Sequence, residues 1–306
     1  MKLTNLILPV AALLLLNSCN KGVEPQEVNY HNKILFSSSR SGKEQLFMMN
    51  PDGTDIRQIT NGPYSHGGGK WSPDVTQIVC NTEEYSTTAG IEMVAMNVDG
   101  TNRRYLGYGA LMSWSPDGKK IAFSHPPRAE LGDRREYIYL INPDGTGRLE
   151  LPNDGGIQET WPSWSPDGKT IAFTSDRDYL VGPLRNEIYL MNPDGSNQRR
   201  LTFTDSVING APSWSPDGSM FAFHSNGEIA LINKDGSGFR LITSQSVAKG
   251  YVLLQPRWSV NGSQLILLGH VIDGTARSYL YMVNRDGSNL HRILDDATVF
   301  SADWSW

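Results

Sequence analysis

Past residue 30 the chain is written in short apolar runs, each cut off by a polar turn. Ile34-Leu35-Phe36, Ile121-Ala122-Phe123-Ser124, Ile171-Ala172-Phe173-Thr174 and Ile188-Tyr189-Leu190-Met191 are typical. Runs of this length, rich in β-branched and aromatic residues, read as strands. No segment in this region repeats its apolar positions every three or four residues, so no helix competes with the strand reading. The turns between runs carry Pro-Asp-Gly. Proline presets the first corner, aspartate bonds the local backbone, and glycine takes the positive φ that closes the turn.

The turns recur in phase. Tryptophan stands at 71, 114, 164, 214, 258 and 304, with spacings of 43, 50, 50, 44 and 46 residues. Four of these begin Trp71-Ser72-Pro73-Asp74, Trp114-Ser115-Pro116-Asp117-Gly118, Trp164-Ser165-Pro166-Asp167-Gly168 and Trp214-Ser215-Pro216-Asp217-Gly218. Trp258-Ser259-Val260-Asn261-Gly262 and Trp304-Ser305-Trp306 are weaker copies. A second marker, Asp-Gly, keeps step at 52, 99, 144, 194, 235 and 286, often as Asn-Pro-Asp-Gly. Each repeat reads as four strands. A repeat of this length, with four strands in each copy, predicts an all-β, six-bladed β-propeller with four-stranded blades. One blade cannot bury both faces alone, so blades stack around an axis, and the recurring tryptophan is read as apolar filler between them.

The two ends complement each other. Lys33-Ile34-Leu35-Phe36-Ser37 matches the second strand of a repeat, and Ala302-Asp303-Trp304-Ser305-Trp306 matches the first. The C-terminal strand is therefore expected to close the ring inside the blade that the N-terminus begins, hiding two sheet edges. These repeats, over roughly residues 33–306, resemble those of the TolB-type propeller family. The same repeat occurs in the propellers of prolyl oligopeptidase-like peptidases and in oligogalacturonate lyase. The resemblance implies a fold strongly and an activity weakly.

The first residues read differently. Lys2 precedes an apolar run from Leu6 to Leu16, too short for a stable membrane span, which ends in Leu16-Asn17-Ser18-Cys19. This resembles a bacterial lipoprotein cleavage box, which implies a signal peptide over 1–18 and a lipidated Cys19. Residues 19–32 are then a flexible tether, and 33–306 the propeller. The implied location is the bacterial cell envelope, as an outer-membrane lipoprotein facing the periplasm. With Cys19 lipidated, Cys80 is the second of only two cysteines and has no disulfide partner. It lies in an apolar strand and reads as a small buried hydrophobe.

Net charge is −5, and no dense run of Lys or Arg occurs, which argues against nucleic-acid binding. No Gly-x-Ser-x-Gly elbow occurs, and the chain resembles only the propeller part of the peptidases, so their activity does not carry over. The connections from second to third strand, and from the fourth to the next blade, are long and variable, while the marker turns stay short. Binding is expected on the variable face.

His66, Tyr108, Glu159, Asn209, Gln255 and Asp303 stand ahead of the repeat tryptophans and are expected to line the mouth of the axis. Such a polar ring suits a small polar or sugar-like ligand, or a peptide; the competing reading is that it bonds loop backbone and channel water. The leading function is a non-enzymatic envelope protein, monomeric, binding an envelope protein, peptide or glycan and touching the membrane only through its lipid. One alternative is a metal-assisted carbohydrate lyase resembling oligogalacturonate lyase; another is a small-molecule sensor. No cofactor signature occurs. The lyase alternative requires His66 and Gln255, or His125, His224 and His270, to converge on a metal. Asp176, Asp178, Glu83 and Glu84 are candidate Ca²⁺ ligands without regular loop spacing. Arg40 and Arg177 occupy matching repeat positions and are read as structural.

Overall fold

The computed structural model describes residues 29–84, 91–125, 135–153, 158–178, 185–204, 209–244, 249–295 and 298–305. The signal segment and Cys19 lie outside them. The described residues form 24 strands in six four-stranded antiparallel sheets, with no α-helix. The first blade holds β1 (Ile34–Ser38), β2 (Gln45–Met49) and β3 (Arg57–Gln58). The second runs β4 (His66–Trp71), β5 (Gln77–Thr82), β6 (Glu92–Asn97) and β7 (Arg104–Tyr108). The third is β8 (Ala110–Trp114), β9 (Ile121–His125), β10 (Tyr137–Ile141) and β11 (Leu149–Glu150). The fourth is β12 (Glu159–Trp164), β13 (Ile171–Ser175), β14 (Glu187–Met191) and β15 (Arg199–Arg200). The fifth is β16 (Asn209–Trp214), β17 (Met220–Ser225), β18 (Glu228–Asn233) and β19 (Arg240–Leu241). The sixth is β20 (Tyr251–Trp258), β21 (Gln264–Val271), β22 (Ser278–Asn284) and β23 (His291–Leu294).

The last strand, β24 (Val299–Trp304), does not extend the sixth blade. It pairs with β1 in the register Ile34↔Trp304, Leu35↔Asp303 and Phe36↔Ala302, so the first sheet reads β24-β1-β2-β3. The chain's two ends thus close the ring. The body also takes in residues that the sequence assigned to the tether. Tyr30 packs on Trp71 at 6.2 Å, its carbonyl accepts from the Ser305 hydroxyl, and Asn32 accepts from the Trp304 indole at 2.9 Å.

Middle strands such as β13 and β14 are buried along their whole length, because each blade is covered on both faces by its neighbours. The apolar side chains gather into six clusters, each shared by two adjacent blades. Trp71, Trp114, Trp214, Trp258 and Trp304 sit one to a cluster, and Trp164 packs on the sixth. The tryptophan therefore fills the blade interface, and it also bonds across it. The indole N–H of Trp114 donates to the Lys70 carbonyl (3.3 Å), that of Trp214 to Ser163 (3.2 Å) and that of Trp258 to Ser213 (3.1 Å). Each acceptor lies just before the tryptophan of the preceding blade.

The marker turns are built as their residues require. The Ser215 hydroxyl donates to Asp217 and accepts from the Met220 amide, while the Ser219 amide donates to Asp217. These donors hold the Asp217 carboxyl down at about 2. Gly118, Gly168, Gly218 and Gly262 close this turn with φ near 67°, but the second blade places Val75 there, with φ of 56°. A β-branched residue in that conformation is strained; burial of Val75 beside Trp71 and Ile78 offsets the strain.

Candidate functional site

The innermost strand of each blade fixes what faces the axis. Five of these six strands share one irregularity. Gly68, Leu111, Trp161, Ala211 and Gln255, each three residues before the repeat tryptophan, have positive φ. Each lies at a β-bulge, where two residues lack a cross-strand partner. Pro162, Pro212 and Pro256 take the second bulge position, where a missing N–H costs no ladder bond. In β24 the register slips by one residue between Val299 and Ser301.

This geometry spreads the six candidate residues over several levels. His66, Glu159 and Asn209 begin β4, β12 and β16 at equivalent positions, opposite Thr82, Ser175 and Ser225, at the variable-loop end. Gln255 lies in the bulge, in mid-strand. Asp303 lies next to Trp304, at the end from which the Trp-Ser-Pro turns leave. Tyr108 is on no inner strand; it ends the outer strand β7, paired with Glu92, and stacks on His125 at 6.3 Å. The six precede their tryptophans by five, six, five, five, three and one residues, so they do not form a single ring.

The three that share a level are tied into the scaffold. His66 is fully buried, with Nε2 3.8 Å from Glu84; burial, then the Arg103 charge, holds its pKa below the usual value. Glu159 is ion-paired to Arg177, whose guanidinium lies 4.6 Å over the Tyr189 ring. Asn209 donates to Glu187 at 2.8 Å and to Thr204 at 2.6 Å. Glu187 is itself buried and takes Arg200 (2.8 Å), the Thr204 amide (2.9 Å) and the Thr202 hydroxyl. Arg40 and Arg177 do hold matching places: Arg40 covers Phe36 and Phe47 at 5.3 and 5.4 Å, as Arg177 covers Phe173 and Tyr189.

The proposed metal ligands do not gather. Among the described residues no group of three or more His, Cys, Asp or Glu side chains is placed to share an ion. His125 packs against Tyr108 and Tyr139. The His224 ring covers the Gly210 backbone, and burial lowers its pKa to about 4. Asp176 accepts from the Gln158 amide, and Asp178 from Tyr189 and Arg200. Cys80 is fully buried, and burial pushes its thiol well above the ordinary range, as an inert core residue requires.

At the variable-loop end, between the first two blades, lies an open cavity of about 460 Å³. Glu44, Glu83 and Glu92 line it, the Glu44 carboxylate lies against Gly67 and the Asn81 side-chain oxygen against Gly68, and Ile91 stands 58% exposed at its edge. Burial raises the Glu44 pKa, and the Glu83 charge adds to the rise.

At the opposite end three charges from three successive blades meet. Asp303 of β24 accepts from the Trp71 amide at 3.1 Å, and its Oδ1 lies 3.3 Å from Lys70 Nζ and 3.5 Å from Arg257 Nε. Of the three, only Asp303 is among the residues expected from the sequence to line the axis; Lys70 and Arg257 are not. The available signal was the position before each tryptophan, which is serine in three repeats and Lys70, Arg257 or Asp303 in the others. Burial, then the Arg257 charge, brings the Lys70 ammonium down from 10.5 to about 8, against the pull of Asp303. The unfolded chain then binds more protons than the folded one between about 8 and 10.5, so this group's contribution to stability grows as pH rises through that window. The gain is on the order of 3 kcal/mol at most. Urea midpoints measured from pH 7 to 10.5 should rise for the wild type relative to Lys70→Met; parallel pH profiles would refute the shift.

A family model described as the TolB beta propeller domain matches residues 107–306. An uncharacterised protein of Agrobacterium fabrum is 28% identical over 102 residues, 29% of this chain; the match spans only 35% of that relative's length. TolB from Acinetobacter baumannii superposes with a TM-score of 0.70 at 21% identity, covering 90% of this chain and 67% of that one. A protein described as TolB from Agrobacterium tumefaciens gives 0.65 at 20% identity, covering 90% and 99%. At these identities the structural likeness carries the fold alone.

Proposed function

The chain belongs to the TolB beta propeller family, and from that premise we propose that it is a non-enzymatic binding protein of the bacterial cell envelope. In this reading Cys19 carries lipid, the protein sits on the periplasmic side of the outer membrane, and the propeller takes a protein or peptide partner on its variable-loop face. The observation that carries the reading is the cavity between the first two blades. Its carboxylates Glu44 and Glu83 and the exposed Ile91 suit a segment that presents a basic residue beside an apolar one. A propeller that holds His66, Glu159 and Asn209 in internal contacts is suited to recognition by shape and charge rather than to acid–base chemistry.

The test is site-specific photo-crosslinking in cells. A photoreactive residue in place of Ile91 should give one discrete protein adduct in the membrane fraction. The same residue in place of Thr101, exposed in an Asp-Gly marker turn, should give none. No adduct at 91, or equal adducts at both positions, would overturn the reading.

A further inference from the structure

The other end of the channel carries a site of different chemistry. Arg257 is the wall of a cavity of about 70 Å³ that Ser213, Pro216, Ser259, Asp303 and Trp304 also line. A water takes about 30 Å³ of liquid, so the space suits two waters or one small charged group. Among the described residues the guanidinium has few partners. Its Nη1 donates to the Pro256 carbonyl at 3.1 Å, and its Nε faces Asp303 at 3.5 Å. Nη2 meets no acceptor among the described residues. Two other largely buried arginines differ: Arg200 holds Glu187, Asp178 and the Thr202 carbonyl, and Arg177 holds Glu159.

The charges around Arg257 do not balance. Lys70 and Arg257 share one carboxylate, Asp303, so the three groups carry a net positive charge below about pH 8. Side-chain exposures of 12%, 16% and 15% place all three away from bulk water, where an uncompensated charge is costly and a bound anion lowers the cost. A second cavity, of about 490 Å³, shares Ser259, Val260 and Trp304 with the first and is walled further by Pro51. Val260 is 41% exposed there. A polar, cationic cavity thus lies beside a roomier one, with Val260 and Trp304 on the wall they share.

We propose that this end of the propeller binds an organic carboxylate. The carboxylate meets Arg257 and the Ser213 hydroxyl, with Lys70 adding charge from behind Asp303, and the ligand's compact apolar body lies over Val260 and Trp304. The planar guanidinium favours two-pronged pairing with a carboxylate. The site lies at the opposite end of the inner strands from the face assigned to a protein partner, and it does not depend on that reading.

Calorimetric titration of the full chain with benzoate at pH 7 and low salt tests the proposal, with acetate, phosphate and benzyl alcohol as comparisons. Benzoate should bind one to one. Acetate, which lacks the ring, and benzyl alcohol, which lacks the charge, should bind more weakly by about tenfold or more. Arg257→Met should weaken benzoate by about tenfold or more. Val260→Glu, at an exposed position where folding is not at stake, should do the same. No benzoate binding by the wild type, full affinity in Val260→Glu, or phosphate binding as tightly as benzoate would overturn the proposal.

Discussion

A chain ending at Thr298 should lose its cooperative unfolding transition, or melt more than about 10 °C below the full-length protein. The shortened chain lacks β24, and with it the inner strand of the first blade. Val299, Ala302 and Trp304, each under a tenth exposed, leave the cluster that joins the sixth blade to the first. Loss of a buried aromatic alone costs about 3–5 kcal/mol. Asp303 leaves as well, which strips the Trp71 amide of its acceptor and leaves Lys70 and Arg257 facing each other. For a protein of this size 1 kcal/mol moves the midpoint by roughly 2–4 °C, so these losses together exceed 10 °C. β1 would also become a bare, apolar sheet edge, and aggregation should follow. Differential scanning calorimetry of the two chains decides the matter. A midpoint within 2–3 °C of the full-length value, on the order of 1 kcal/mol, would show that the ring does not need its closing strand.

Glu187→Ala should destabilise the fourth blade's outer edge by about 3–5 kcal/mol, the range for breaking a buried ion pair from one side. Glu187 is 1% exposed and gathers five donors: Arg200, the Thr202 hydroxyl, the Thr204 amide and hydroxyl, and Asn209. Its removal leaves a guanidinium and an amide without their main acceptor in a closed space. Asn209→Ala removes one donor to a carboxylate that keeps the others, so it should cost about 1–2 kcal/mol. Urea midpoints for the two variants, at unchanged slope, measure both. The order of the two effects matters for function. Asn209 as part of a structural clasp gives the small loss beside the large one, whereas a loss under about 1 kcal/mol for Glu187→Ala would free the cluster for another role.

The frame of the molecule was legible because it is built from repeated local rules. The marker turns set where strands begin, and the six-fold recurrence of the tryptophan and of Asp-Gly set the number of blades. The match between Lys33–Ser37 and Ala302–Trp304 as second and first strands of one repeat foretold ring closure, which the β1–β24 pairing realises. The tryptophan was legible as interface filler but not as a donor, since its bond to the residue before the previous blade's tryptophan crosses 44 to 51 residues of chain.

The candidate site was far less legible. Counting back from tryptophan assumes a regular strand. The bulges at Gly68, Leu111, Trp161, Ala211 and Gln255 interrupt the alternation of faces, and strand length alone puts a residue five before the tryptophan and one just before it at opposite ends. The prolines at 162, 212 and 256 were the visible sign of those bulges, because proline in an inner strand survives only where a ladder bond is already missing.

By itself, then, the sequence determined the strands, the turns, the six blades and which two segments meet to close the ring, because each depends on a residue and its near neighbours. The reading of Cys19 as a lipid-bearing residue, and of the segment before it as a signal, rests on sequence alone. Only the tertiary structure decided which charges share a space. Lys70, Arg257 and Asp303 come from three blades, separated by as many as 233 residues, and no local pattern binds them. The closing strand brings them together where burial leaves little water to screen them, and there a guanidinium with spare donors acquires its chemistry.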